Sequence, residues 1–153
     1  MLPKIVVDAD ACPVKDEIRA AGKKHGIEVL MVASFDHRLI PEDGVQVVQV
    51  DRSDQSADLY IANHLQGGDV LITQDFGLAA IGLGKGAYVL SNRGQNYKDE
   101  TMAFLLEQRH RNAKLRRKGR YGKGPKPFTD EDRHFFLHAL TKLLTALQEI
   151  EPG

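Results

Sequence analysis

The stretch Ile5-Val6-Val7-Asp8-Ala9-Asp10-Ala11-Cys12-Pro13 decides how the chain is read. Three β-branched apolar residues in a row suit a strand buried on both faces, as in parallel sheets covered by helices. The run ends in two carboxylates, and in open α/β sheets ligands collect outside the carboxyl ends of the strands. Side chains two apart on a strand point the same way, so strand geometry carried through Asp10 would put Asp8 and Asp10 on one face. At about 4 Å and an effective dielectric near 20, the two would repel by roughly 4 kcal/mol. A positive partner is therefore expected, and a hard, oxygen-seeking cation such as Mg²⁺ or Mn²⁺ suits the donors. The plainer alternative is a helix N-cap and a solvated turn, since Pro13 suits the first position of a helix.

Outward from this stretch, strand and helix signals alternate. Residues 13–25 read as a helix with Val14, Ile18, Ala21 and Gly22 inward and Gly26 as its stop. Strands are predicted over 27–33, 45–50, 70–73 and 87–90, and helices over 53–65 and 78–83. The helix over 53–65 would turn Ala57, Tyr60, Ile61, His64 and Leu65 inward. Such alternation predicts one α/β domain over residues 1–153, a mostly parallel sheet with helices on both faces. A C-terminal helical hairpin follows. Its first helix runs over 99–111; its second opens at Thr129, where Asp132 completes a capping box, and carries apolar residues from Phe135 and Phe136 to Leu147 at helical spacing. Between them, residues 116–128 are rich in Gly, Lys, Arg and Pro and are expected to form an exposed, mobile basic loop.

At 153 residues the chain can bury roughly 70% of its unfolded surface without staples. One cysteine excludes an internal disulfide framework and cysteine-rich zinc sites. The start, Met1-Leu2-Pro3-Lys4, lacks a signal-peptide layout, and no apolar run approaches the roughly 18 residues of a membrane span. A cytoplasmic protein without a membrane partner is expected. Formal net charge is zero, yet the charges are segregated: Arg109 to Lys126 holds five Arg and four Lys and no acid. Removing those nine from the 21 basic residues leaves 12 against 21 acids elsewhere. An acidic body carrying a basic segment points to a polyanionic partner, although a solvated tail also fits.

Further acids fall at comparable places. Asp75 follows the strand over 70–73, Asp51 follows that over 45–50, and Asp54 and Asp58 lie on the next helix, four apart. Asp58 borders the apolar stripe of that helix and wants a partner, either the shared site or a surface Lys or Arg. Carboxyl ends of parallel strands share one rim, so these acids can meet there around one or two divalent cations. Such a site holds a phosphodiester oxygen, lowers the pKa of water and steadies the leaving oxygen. The sequence carries no P-loop, no G-x-S-x-G elbow and no Cys/His metal box. Cys12, at a predicted helix start, reads as packing ahead of catalysis. His134 and His138, four apart without an intervening zinc-protease Glu, read as a solvated face.

The segments Asp8-Ala9-Asp10-Ala11-Cys12-Pro13-Val14, Ser56-Ala57-Asp58, Ile72-Thr73-Gln74-Asp75 with Leu78-Ala79-Ala80, Lys85-Gly86-Ala87 and Gly124-Pro125-Lys126-Pro127-Phe128-Thr129 resemble the YaiI/YqxD family of uncharacterised bacterial proteins. The resemblance covers nearly the whole chain. That family is similar in turn to the PIN-like domains, α/β metal-dependent nucleases acting largely on RNA. The resemblance implies that Asp8, Asp58 and Asp75 hold Mg²⁺ or Mn²⁺, with Asp10 as an added first-strand acid and Asp51 and Asp54 as secondary candidates. These four acids are the expected catalytic and metal-binding residues. Arg93, Arg109, Arg111, Lys114, Arg116, Arg117, Lys118, Arg120, Lys123 and Lys126 are the expected nucleic-acid contacts, RNA ahead of DNA; Arg93 suits a structural salt bridge equally well. Tyr121 adds one surface on which a base could stack. Two alternatives stand beside the nuclease. One is a non-catalytic RNA- or ribosome-binding module; the other is a haloacid-dehalogenase-like phosphatase with Asp8 as nucleophile, for which the usual late acidic pair is reduced to Asp75.

Overall fold

A computed structural model describes residues 3–34, 39–51, 56–117, 119 and 127–150. In chain order the elements are β1 (Ile5–Asp8), α1 (Lys15–His25), β2 (Val29–Ser34), β3 (Val45–Val50), α2 (Ser56–His64), β4 (Val70–Ile72), α3 (Phe76–Gly84), β5 (Tyr88–Leu90), β6 (Asn96–Tyr97), α4 (Asp99–Arg117) and α5 (Asp130–Ile150). They build one α/β unit around a six-stranded sheet of order β3-β2-β1-β4-β5-β6. The first five strands are parallel; β6 runs antiparallel to β5. After β1 the chain steps to β2 and β3 on one side, then returns to lay β4 and β5 on the other. That reversal puts the switch point of the sheet at the paired strands β1 and β4, the place where open α/β sheets generally receive a ligand.

The two-residue period of the strands sorts the core into two layers. Ile5, Val7, Met31 and Ile72 pack with Ile18 of α1 and Phe136, Leu140 and Leu144 of α5. Val6, Leu30, Val32 and Leu71 face Ile61 and Leu65 at α2, Leu78 and Ala79 of α3, and Met102 of α4. Each large apolar side chain fully buried in this way contributes roughly 1.5–3 kcal/mol. The two C-terminal helices divide between the faces, α4 against α3 and α5 against α1.

Several expected boundaries move, for local reasons. β1 ends at Asp8: Ala9 N donates to Val32 O at 2.9 Å, and Cys12 N then turns back to Ala9 O. Asp10 thus leaves the strand for a turn, and the alternation expected to align it with Asp8 stops. α1 begins at Lys15 because Val14, rather than a polar residue, occupies the cap without a side-chain bond; Gly26 stops it in the left-handed region, at φ 66°. α4 continues past Arg111 to Arg117, through a stretch without Gly or Pro and with Arg111 paired to Glu107 at 3.1 Å. The expected loop therefore starts later than Arg116, and Lys118 and residues 120–126, with Tyr121, lie outside the described residues. The capping box of α5 forms as expected, Asp132 N donating to Thr129 Oγ1 and Thr129 N to Asp132 Oδ2. Phe135 is 60% exposed, and His64 is exposed against Tyr60 rather than turned inward. The two-residue β6 was too short to give a periodic signal; its Tyr97 is buried edge-on to Phe76.

Candidate functional site

Four carboxylates from separate elements meet beside the switch point. Asp8 ends β1, Asp10 lies in the following turn, Asp58 is in the first turn of α2, and Asp75 follows β4 as the N-cap of α3. Asp8, Asp10 and Asp75 are each held by a donor from their surroundings. Thr73 Oγ1 donates to Asp8 Oδ2 at 3.0 Å, Ser34 N to Asp10 Oδ1 at 2.8 Å, and Leu78 N to Asp75 Oδ1 at 3.0 Å. Thr73 also accepts from Asp75 N at 3.0 Å, so one buried hydroxyl links the first-strand acid to the fourth-strand acid.

Burial and mutual repulsion both act on these carboxylates. Burial pushes the Asp8 carboxyl up to about 6, the Thr73 hydrogen bond opposes this, and repulsion from Asp58, Asp10 and Asp75 adds to it. Asp58 is also raised, first by burial and then by Asp75. The contrast with Asp69, at the opposite end of the sheet, is instructive. Its carboxylate takes Lys4 N, Lys4 Nζ and Gln66 N, a fully compensated structural acid. Asp8 has one donor among the described residues and three acidic neighbours.

The donor set is all oxygen, which suits Mg²⁺ or Mn²⁺ over zinc. Among the described residues, no three His, Cys, Asp or Glu side chains form a ready-made cage. Mg²⁺ does not need one, since it keeps several waters and is bound through one or two carboxylates plus substrate phosphates. Asp51 is exposed beyond the edge strand β3 and is not among the acids that raise Asp8; Asp54 lies outside the described residues.

The expected cations fall into two groups. Arg93 pairs with Asp132 at the start of α5 and lies over the Phe128 ring, which is the structural alternative weighed for it. Arg109, Arg111, Lys114 and Arg117 are exposed along α4. Arg109 places its guanidinium 5.7 Å from the centre of the Phe76 ring, and Phe76 follows Asp75 directly, so the basic helix meets the acidic rim there. Arg116 belongs to the same helix, and Lys118, Arg120, Lys123 and Lys126 lie outside the described residues. Cys12 is buried and its thiol pushed up to about 11, chiefly by desolvation, as suits an inert packing residue.

Sequence reading missed the residues that hold the acids. Thr73 is fully buried at a strand end between two acid-bearing turns, a signal that could have been used. Ser34 carries none, because its role lies in a backbone contact with a turn 24 residues away.

A mostly parallel sheet with acids gathered at its switch point defines an α/β protein with an acidic rim at the carboxyl ends of its strands. The chain belongs to the YaiI/YqxD family: residues 6–146 match the family described as "Uncharacterized BCR, YaiI/YqxD family". It is 47% identical over 143 residues to a UPF0178 protein of Listeria welshimeri, covering 94% of this chain and 96% of that relative. A UPF0178 protein of Listeria monocytogenes gives the same figures, and one of Bacillus cytotoxicus is 49% identical over 144 residues, 94% of each chain. No solved structure matches. No helix of the described residues is long and apolar enough to cross a membrane.

Proposed function

We propose that this protein is a divalent-metal-dependent phosphodiesterase acting on nucleic acid, RNA ahead of DNA, as the similarity to PIN-like nucleases implies. The observation that carries the reading is the gathering of Asp8, Asp10, Asp58 and Asp75 at the switch point, close enough to help raise Asp8 to about 6. These four residues would hold Mg²⁺ or Mn²⁺. When bound, such an ion supplies charge stabilisation to a phosphodiester and lowers the pKa of water. Thr73 and Leu78 N hold the Asp8 and Asp75 carboxylates still, which spares reorganisation at the moment of reaction. The cations of α4 bind the phosphate backbone, and Arg109 brings that track to the rim beside Asp75.

Purified protein should cleave single-stranded or structured RNA with Mn²⁺ or Mg²⁺. Asp8→Asn and Asp75→Asn should each abolish cleavage while leaving the circular dichroism spectrum unchanged. Cleavage that persists in both variants without metal overturns the reading. A non-catalytic RNA-binding module is the second reading, favoured by the lack of three preassembled ligands among the described residues. Salt-sensitive RNA binding without products under any divalent ion would select it.

A further inference from the structure

Asn92 lies between the two acid-bearing turns without contributing a charge to either. It follows β5 and is 5% exposed. Its Nδ2 donates to Ala11 O at 3.2 Å, in the turn that carries Asp10, and its backbone N donates to Gln74 Oε1 at 2.9 Å, beside Asp75. One residue thus takes hold of both sides of the switch point.

The loop that presents Asn92 is braced from several directions. Ser91 Oγ accepts from Arg93 N at 3.2 Å and Gln95 N at 3.0 Å, while Ser91 N donates to Gln95 O and Gly94 N to Ser91 O. Arg93 pairs with Asp132. Gly94 has φ +85°, and a Cβ there would come within 2.8 Å of Phe135 and 3.0 Å of the Phe136 backbone. The loop is therefore clamped between the sheet and α5.

The amide itself is only partly used. Asn92 Oδ1 is buried, and no described group donates to it. A buried acceptor without a donor costs free energy, and an apolar residue of similar shape would escape that cost. What an apolar residue could not do is reach the Ala11 carbonyl, which also fixes which end of the amide faces the turn.

We propose that Asn92 is a positioning residue: it holds the Asp8–Asp10 turn in register with the Gln74–Asp75 turn so that their carboxylates present one shared face. This rests on the acidic-rim reading for its purpose, though not for its geometry. Thr73 links Asp8 to the Asp75 turn through its hydroxyl, and Asn92 adds a second link between the same two turns, at Ala11 O and Gln74 Oε1.

The test uses the full chain with Asn92→Ala, Asn92→Asp and Gln74→Ala. Amide hydrogen exchange is followed at Ser34 and Leu78, whose N–H groups bond Asp10 and Asp75. Mn²⁺ binding is followed by electron paramagnetic resonance. Asn92→Ala should speed exchange at both amides about tenfold, leave Val6 and Leu71 in the sheet unchanged, and weaken Mn²⁺ binding about tenfold, equivalent to about 1.4 kcal/mol. Asn92→Asp should weaken binding further, because a carboxylate oxygen would face the Ala11 carbonyl. Gln74 is exposed, so Gln74→Ala keeps the fold and should move both readouts in the same direction by less. Unchanged exchange at Ser34 and Leu78, or acceleration spread evenly through the sheet, overturns the proposal; if Asn92→Ala does not fold, Gln74→Ala decides by the same criterion. Should the wild type bind no Mn²⁺, the acidic-rim reading falls, and the exchange data still decide whether Asn92 couples the turns.

Discussion

Asp8 ties stability to pH through a known sign. Its folded value of about 6 lies above the ordinary 3.8, so the stability it contributes is complete below about pH 3.8 and is lost as pH rises through about 6. At about 1.4 kcal/mol per pH unit, that loss is on the order of 3 kcal/mol. Asp8→Asn keeps an acceptor for Thr73 and removes the charge. It should raise the free energy of unfolding at pH 7.5 by about 1–3 kcal/mol and match the wild type near pH 4, as read from urea denaturation at both values. A cation held by the folded state offsets the same strain. Saturating Mn²⁺ at about 100 times its Kd should stabilise the wild type by roughly 2.7 kcal/mol at pH 7.5, a gain that Asp75→Asn should largely remove in a thermal melt.

At the scale of elements, the helix starts and close approaches carry the testable consequences. Thr129→Ala removes the cap of α5 and should cost about 1 kcal/mol. Gly22→Ala would gain helix propensity elsewhere, but here its Cβ would meet Val29 Cγ2 at 2.7 Å and Ile27 O at 2.9 Å. It should destabilise by about 1–3 kcal/mol in urea titration, because the helix must move off the sheet. The same elements show what the sequence could tell. Asp8 and Asp75 were legible because one ends an apolar strand and the other closely follows one, and the capping box because its partners are three residues apart. The Thr73 bond to Asp8 spans 65 residues and that from Asn92 to Ala11 spans 81, so neither leaves a local pattern. Asp10 reaches the rim from the turn after β1 rather than by strand alternation, because the strand does not persist that far. A single turn bond, Cys12 N to Ala9 O, ends it.

Across the whole molecule, the sheet gathers acids at one end while α4 carries cations away from the same rim. If the helix tracks a phosphate backbone, binding should fall steeply with salt, and removing one cation should reduce the slope of log K against log salt by about 1. Lys114→Ala and Arg111→Ala are suitable because both are exposed, and filter binding from 50 to 300 mM salt, a range of roughly one Debye-length halving, reads the slope. Unaltered slopes would assign the cations to solubility alone. The brace between Arg93 and Asp132, with Gly94 seated against Phe135 and Phe136, has a consequence for biosynthesis. All five parallel strands are translated before residue 91, yet the loop beside the rim gains its final support only after α5 has emerged. A nascent chain can therefore pair its five parallel strands before the brace on this loop has formed.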